Sequence, residues 1–331
     1  MQLTHMRDLL VEAPLPSGHA FLSAASGMVV RGSMLCVVAD DAQCLALFDL
    51  DGAEPGRLIP LIADDLPQDA GERKKQKPDF EILLALPNAH LPDAHLPDAQ
   101  RPDARACRLL ALGSGSTPQR MRGAVVDLPA SSGGDVTVRL MDLSPLFAAI
   151  APLVPEVNLE GAVLHGDHLL LFNRGTMTHP ASHIMEVPLA AMLAGEPLSA
   201  TLRATLELPM CAGPMGAGAM GAGAMGTGPV GAGVPLTVTD AFRLENGHIL
   251  LSAVAEATAD SYADGALVGA AIVELDANFT ICTVDMIDPP LKVEGLSARL
   301  TEAGIALLCV TDADDPGRVA GVYRGMLGRE K

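Results

Sequence analysis

The chain has 331 residues, of which 49% are hydrophobic, and its 40 acidic and 22 basic residues give a formal net charge of −18. A surface of that sign repels phosphate backbones and anionic lipids, so nucleic acid and membranes are excluded as expected partners. The first 18 residues lack the basic and apolar regions of a signal peptide. We therefore expect a cytoplasmic monomer whose ligands are cations or small molecules.

The six cysteines include no C-x-x-C pair. Cys36, Cys107, Cys282 and Cys309 lie in or beside apolar runs, where a thiol packs as a small hydrophobe. Neither a zinc site nor a disulfide framework is expected. The chain has no tryptophan and two tyrosines, which argues against a lectin that stacks sugars on aromatic rings.

A sequence motif that combines a small or acidic residue with an apolar run occurs five times. The copies begin with SGMVVRG at Ser26, FEILLALP at Phe80, LEGAVLHGD at Leu159, TDAFRLENG at Thr239 and VEGLSARL at Val293. Recurring strand-like segments of this kind are typical of radial β-repeats. The sequence thus predicts an all-β fold, a single β-propeller domain over 1–331.

The first four copies each continue into three further apolar runs of strand length, bounded by Gly, Asp, Asn or Pro. These repeats cover 26–64, 80–144, 159–209 and 239–287, whereas the last, at 293–327, supplies only three strands. The segment 3–13 can add the missing outer strand and close the ring without an exposed edge. We predict five four-stranded blades closed by this N-terminal strand. Six blades are the alternative, with another blade within 129–155 or 185–210.

Other segments interrupt the strands. Ala and Leu at helical spacing predict short helices in 144–154 and 188–195. The low-complexity stretches 89–105 and 212–234 are interpreted as surface insertions, because they cannot bury enough side chain to offset their ordering entropy. The basic run GERKKQK at 71–77 is interpreted as a solvated loop, or else as positive charge beside an acidic channel mouth that accepts an anionic ligand.

Propeller geometry predicts where polar side chains converge. Residues just before the innermost strand and just after the second strand surround one mouth of the central channel. Carboxylates recur there in four repeats, and we assign Glu81, Glu160, Asp240 and Glu294 to equivalent positions. Arg174 is placed to pair with one of these acids or to orient an anionic group. A second tier comprises Asp40, Asp312 and Asp314.

Converging like charges are unfavourable unless a cation, water or counter-charge offsets them. Hard oxygen ligands suit calcium or magnesium, and the candidate metal ligands are Glu160, Asp240, Glu294 and Asp312. The alternative is structural. In that case each carboxylate accepts backbone N–H bonds from a neighbouring blade and locks the blades together.

Several short motifs resemble those of an uncharacterised bacterial β-propeller family. They are ASGMVV with VVADD, KPDFE, LALGSGSTP, LEGA, TDA with ADSYADG, and KVEGL with VTDADDP. That family is more distantly similar to the esterase-like domain associated with phytase and to calcium-associated propellers. The resemblance implies a propeller over nearly the whole chain, and it maps no catalytic residue.

Two classes of function stay open. The first is a propeller that binds a small molecule or divalent cation at the acidic channel mouth, with hydrolase activity as an option. Its ligand-binding residues are Glu81, Glu160, Arg174, Asp240 and Glu294. The second is a non-catalytic scaffold that uses the propeller faces for protein interactions. A polar pocket in the channel favours the first class, and a channel filled by side chains favours the second.

Overall fold

A computed structural model of the chain describes residues 1–64, 66–86, 107–129, 134–212, 233–257, 265–313 and 315–328. The strands in these ranges are rich in Val, Ile, Leu and Ala, and side chains on most of them are buried. In chain order the strands are β1 (Thr4–Asp8), β2 (Ala25–Arg31), β3 (Met34–Ala39), β4 (Cys44–Asp49), β5 (Arg57–Pro60), β6 (Phe80–Leu86), β7 (Cys107–Gly113), β8 (Arg122–Leu128), β9 (Thr137–Asp142), β10 (Leu159–His165), β11 (His168–Asn173), β12 (Ser182–Pro188), β13 (Thr201–Leu206), β14 (Met210–Cys211), β15 (Val234–Pro235), β16 (Thr237–Arg243), β17 (Ile249–Ala257), β18 (Ala266–Leu275), β19 (Ile281–Met286), β20 (Val293–Thr301), β21 (Gly304–Thr311) and β22 (Gly321–Gly328). The α-helices are α1 (Ala70–Gln76), α2 (Ser144–Ile150) and α3 (Leu189–Ala194).

The strands form five four-stranded antiparallel blades, as predicted. Blades 1 to 4 comprise β2–β5, β6–β9, β10–β13 and β16–β19, and blade 5 comprises β20, β21, β22 and β1. The first strands of the blades contact one another in turn, and β20 returns to contact β2. The protein is therefore a closed five-bladed β-propeller whose inner strands surround a central axis.

The core is divided among the blade junctions. Five hydrophobic clusters occur in the described residues, one between each pair of adjacent blades. Near the axis the inner strands approach too closely for most side chains. A Cβ added to Gly27 would lie 2.6 Å from the backbone nitrogen of Leu83, and one added to Gly161 would lie 2.7 Å from that of Ala241. Glycine is required at these two positions because the neighbouring backbone occupies the space.

The N-terminal strand closes the ring. In blade 5, β1 pairs antiparallel with β22, with Thr4 opposite Arg324 and Asp8 opposite Gly321. The Arg7 guanidinium then reaches blade 1, where it donates to the carbonyl oxygens of Asp49 (2.7 Å), Gly52 (2.9 Å) and Glu54 (2.8 Å). Blade 5 is thus joined to blade 1 by the Arg7 side chain as well as by the chain that continues from β1 to β2.

The segments that connect the strands have the predicted structure only in part. Helices α2 and α3 occupy the two segments predicted to be helical. The run 71–77, interpreted as a loop, lies mostly in α1. Asp69 caps that helix, since its carboxylate accepts the Glu72 N–H (2.9 Å), and this D-x-x-E spacing is a start signal visible in the sequence.

The two low-complexity stretches lie almost entirely outside the described residues. The ladder formed by β14 and β15 brings Cys211 opposite Val234, at the two ends of the second stretch. No described helix is long and apolar enough to cross a bilayer.

The clamp formed by Arg7 can be tested by truncation of its side chain. Arg7→Ala removes three hydrogen bonds from a charged donor, so we expect the free energy of unfolding to fall by about 1–3 kcal/mol in urea denaturation. The matched control is Arg57→Ala, on the exposed surface of β5, which should leave stability nearly unchanged. Equal stability of the two variants would contradict a role of Arg7 in closure.

Candidate functional site in the central channel

A β-bulge recurs at the same place in every inner strand. In each blade the register between the first and second strands shifts by one residue near the start of the first strand. A bulge of this kind leaves one residue unpaired and re-aims its side chain. The unpaired residues are Ser26, Glu81, Glu160, Thr239 and Glu294.

This register corrects the assignment of Asp240. The equivalent position in blade 4 is Thr239, and Asp240 lies one residue further along. Because side chains alternate along a strand, a shift of one residue sends the carboxylate to a different environment. Asp240 accepts the backbone N–H of Ala241 (2.7 Å) and that of Leu296 in blade 5 (2.7 Å). Asp240 therefore joins two blades, as the structural alternative proposed.

The other acidic residues converge on one cavity of about 230 Å³ at the channel mouth. Its volume far exceeds the roughly 10–15 Å³ that one water needs on this measure. Nine carboxylates line it: Asp40, Asp41, Asp79, Glu81, Glu160, Glu256, Glu294, Asp312 and Asp315. Six cationic side chains line it as well: Arg73, Lys74, Lys77, Arg120, Arg174 and Lys292. The described part of the channel is thus a polar pocket with an excess of acid.

Three bulge glutamates form the centre of the cavity. One carboxylate oxygen from each of Glu81, Glu160 and Glu294 lies within 4.8 Å of the other two, and all three side chains are buried. A second group, formed by Asp40, Asp79 and Glu81, meets the same distance limit. Glu81 belongs to both groups and so lies at their junction.

Arg174 follows the second strand of blade 3 and pairs with two glutamates. It contacts Glu256 through Nη2, and its Nη1 lies 3.5 Å from Glu160 Oε1. Asn158 donates to the same Glu160 oxygen at 2.6 Å. Glu160 is therefore held by an amide and a guanidinium, as the predicted pairing of Arg174 requires.

Lys292 supplies the counter-charge in blade 5. Its Nζ lies 3.1 Å from Glu256 Oε1, 3.3 Å from Glu294 Oε1 and 3.1 Å from Asp312 Oδ2. The oxygen Oε1 of Glu294 is nevertheless buried without a hydrogen bond of acceptable geometry from any described residue. This oxygen is thus paired with Lys292 by charge but receives no hydrogen bond from the described residues.

Lys77 and Arg120 pair with Asp40, after the second strand of blade 1, and with Asp79, before the first strand of blade 2. Lys77 contacts Asp40 and lies 2.8 Å from Asp79 Oδ1, and Arg120 lies 2.8 Å from Asp79 Oδ2. The backbone of Asp79 has a φ of 56°, a left-handed conformation that aspartate tolerates better than most residues. Since Ser114 also donates to Asp79, this carboxylate is fully engaged within the protein.

Glu81 differs from its neighbours. Its side chain is only 8% exposed. No described residue gives it a hydrogen bond or an ion pair within 4.0 Å, although Lys77 lies near enough to interact with its charge. Burial and the charges of Asp79, Glu160, Asp40 and Glu294 all raise the pKa of Glu81 well above its usual range. A buried carboxylate in this state either keeps a proton or takes a cation from outside the protein.

Burial also raises the pKa of the other central acids. It outweighs Arg174 and Lys292 and raises the pKa of Glu160 to about 7. It likewise outweighs Lys77 and raises the pKa of Asp40 to about 7, and it raises that of Glu294 well above its usual range. For Glu256, burial is overcome by Arg174 and Lys292, and its pKa is lowered. The cavity therefore contains carboxylates whose pKa is raised beside one, Glu256, whose pKa is lowered.

The structure brings most of the predicted residues together. Glu81, Glu160, Glu294, Arg174, Asp40 and Asp312 line the cavity, Asp240 does not, and Asp314 lies outside the described residues. Lys77 lines the cavity too, and it belongs to the run 71–77, whose alternative interpretation placed positive charge beside the channel mouth. The main omission was Lys292. It stands directly before the inner strand β20 and two residues before an acid, in KVE, and this spacing was the available signal.

The fold and the cavity define the class: a five-bladed β-propeller with a carboxylate-rich pocket at the channel mouth. Within this class, a family model described as "Family of unknown function (DUF6910)" matches residues 73–316, and the chain belongs to that family. The matched range includes all of the cavity residues named above except Asp40 and Asp41.

Solved structures resemble the chain in fold. The match to a luciferin-regenerating enzyme has 8% identity and a TM-score of 0.42, and it covers 93% of this chain and 94% of that one. An exo-β-1,3-galactanase from Phanerochaete chrysosporium has 8% identity and a TM-score of 0.49, with 98% and 64% covered. An endo-arabinase from Bacteroides thetaiotaomicron has 11% identity and a TM-score of 0.45, with 98% and 99% covered. These values carry no inference about activity. No curated protein matches the sequence.

The contacts of Asp240 predict a purely structural phenotype. Asp240→Asn replaces one accepting oxygen by an amide donor, so one backbone N–H loses its partner. We expect the free energy of unfolding to fall by about 1–3 kcal/mol, measured by denaturant titration. Asp167→Asn, at an exposed hairpin turn, is the control and should have no effect. Wild-type stability of Asp240→Asn would show that the link between the blades contributes little.

The raised pKa values predict how stability depends on pH. Between the usual carboxyl pKa and about 7, the folded protein binds more protons than the unfolded chain at Asp40 and Glu160. The free energy of unfolding must therefore fall as pH rises through that interval. In EDTA, the melting temperature should be lower at about pH 8 than at about pH 5, and Glu160→Gln should reduce the difference. A melting temperature that increases over this range would oppose the expectation.

Proposed function

We propose that the protein binds a divalent cation, calcium or magnesium, in its central cavity through Glu81, Glu160 and Glu294. The observation that carries this proposal is the state of Glu81. This buried carboxylate has no hydrogen-bond or ion-pair partner among the described residues, and one of its oxygens lies within 4.8 Å of oxygens from two other buried glutamates. Three carboxylates around one point form the donor set that hard cations prefer. Water can supply the remaining ligands, because the cavity is open to solvent on one side.

The charges of the cavity support the same proposal. Its nine carboxylates exceed its six cationic groups by three. Lys77 and Arg120 engage Asp79, and Lys292 engages Asp312, so these acids are less suited to bind a metal. A divalent ion at the three glutamates would offset most of the excess charge. Relative to the ligands inferred from sequence, Glu81 takes the place of Asp240 and Asp312.

Binding of a small ligand in this polar pocket is favoured over a scaffold that works through the propeller faces alone. A channel filled by side chains would have supported the scaffold, whereas the described channel has a cavity of about 230 Å³. Cations and small molecules remain the partners we propose.

A hydrolase is the second candidate, and one pair of residues favours it. Glu160 and Glu256 share Arg174, yet the pKa of Glu160 is raised to about 7 and that of Glu256 is lowered. Two carboxylates whose pKa values are pushed apart in one pocket are typical of a general acid and its ionised partner. In such a reaction Glu160 would donate the proton.

The cation proposal is tested by thermal unfolding with calcium, magnesium or EDTA. A cation that binds only the folded state stabilises it by about 2.7 kcal/mol at roughly a hundredfold excess over Kd, so the melting temperature should rise and EDTA should reverse the rise. Glu81→Gln and Glu294→Gln should abolish this response. In EDTA, Glu81→Gln should be at least as stable as wild type, since it replaces a buried acid that has no ion-pair partner among the described residues by a neutral side chain of the same shape.

Two controls separate this result from a general effect. Glu302→Gln, at the exposed turn between β20 and β21, should keep the full response to cations. Asp240→Asn should keep it as well, although its melting temperature is lower. The proposal fails if neither calcium nor magnesium changes the melting temperature of wild type, or if Glu81→Gln responds as wild type does.

A further inference from the structure

The cavity also contains a buried cation that lacks an acidic partner. Arg73, in the last turn of α1, lines the cavity and is only 7% exposed. Lys77, Arg120, Arg174 and Lys292 all form ion pairs with carboxylates of the cavity. No described carboxylate lies within 4.0 Å of the Arg73 guanidinium, so its charge is buried without a counter-ion at contact distance.

The guanidinium is nevertheless fixed in position. Its Nη1 donates to the carbonyl oxygens of Pro67 (3.1 Å) and Gln68 (2.8 Å), just before α1 begins. A guanidinium has five N–H donors, and these two bonds leave three of them without a described acceptor. Fixed, buried donors of this kind suit the two oxygens of a planar anion, because a carboxylate accepts two parallel N–H bonds from one arginine.

Asp41 is the acid that could compete for Arg73. Burial raises the pKa of Asp41, and the charge of Arg73 is only a minor influence on it. The Oδ2 atom of Asp41 accepts the hydroxyl of Ser23 at 3.0 Å. Asp41 is thus directed to Ser23, and Arg73 keeps its unused donors.

We propose that Arg73 binds the carboxylate of a small organic acid, which occupies the cavity together with the cation at the three glutamates. This inference depends on the proposed cation site, because the organic acid is expected to lie between Arg73 and the cation at the three glutamates. Glu81 and Arg73 are both more than nine-tenths buried, line the same cavity, and have side chains of opposite charge type without an ion-pair partner among the described residues. A carboxylate at Arg73 and a cation at Glu81 satisfy both, so the two ligands should favour each other.

The test uses succinate and acetate as probes and isothermal titration calorimetry at constant ionic strength, with saturating magnesium and again in EDTA. Succinate should bind wild type, and more tightly with magnesium. Arg73→Gln should weaken binding about tenfold or more, the loss typical of a charge-assisted hydrogen-bond pair. Lys75→Gln is the matched control, because Lys75 lies on the same helix, is exposed and pairs with Glu72. It should bind as wild type does.

A second variant of Arg73 and a second anion complete the test. Arg73→Lys, which keeps the charge but not the planar fork, should bind between wild type and Arg73→Gln, and it replaces the latter if Arg73→Gln does not fold. Inorganic phosphate tests the other oxyanion: Arg73-dependent binding of phosphate without binding of either carboxylate would overturn the assignment. Equal carboxylate affinity in wild type and Arg73→Gln would overturn it too.

The two proposals fail in different ways. Magnesium alone should still raise the melting temperature of Arg73→Gln but not that of Glu81→Gln. If magnesium acts through Glu81 and no carboxylate binds, the Arg73 assignment is wrong and the cation site stands. If magnesium has no effect while succinate binds in EDTA in an Arg73-dependent manner, the cation site is wrong and the anion site stands.

Discussion

The close approach of five inner strands at one axis is the constraint on which the rest of this structure depends. Where neighbouring backbones come within contact distance, Gly27 and Gly161 leave room for them. Every inner strand bulges at this level, and in blades 1 and 3 the bulge residue immediately precedes one of these glycines. In three of the five blades the bulge residue is a glutamate that lines the cavity. The close packing of the inner strands, which closes the propeller, is therefore accompanied by the bulges that bring the three glutamates together.

Placing glutamates at three of these positions creates an electrostatic problem that the protein solves only in part. Arg174 and Lys292 reach in from strand ends to pair with Glu160 and Glu294, and Lys77 performs this role for Asp40 and Asp79. Removing one member of a buried charge pair is far more destabilising than the pair is stabilising. The network is thus better understood as mutual compensation than as a source of stability. Among the described residues this network leaves Glu81 and Arg73 without an ion-pair partner, and these are the two positions that we propose for ligands.

Much of the fold could be predicted from sequence because strand length, turn residues and the five recurring motifs all agree. The missing strand of the last repeat even indicated that β1 would complete blade 5. The candidate site was harder. Asp240 stands beside the correct position, and pattern alone cannot separate TD in blade 4 from LE in blade 3, because a bulge shifts the register by one residue.

The partners of the acids were also hidden from sequence. Lys77 and Lys292 approach carboxylates of other blades as well as their own, and such contacts depend on the closed ring. Helix α1 shows the opposite case: its capping pair Asp69 and Glu72 was visible, but the charged run that follows resembles a solvated loop. Its Arg73 is buried only because the ring presents a cavity for it to line.

The pairing of β1 with β22 has a consequence for how the chain is made. Thr4 is translated more than three hundred positions before its partner Arg324. Until β22 is made, the apolar side chains of blade 1 that pack against blade 5 lack their neighbours. Joining such distant segments requires a slow search. The ring of this propeller can therefore close only after β22 has been made.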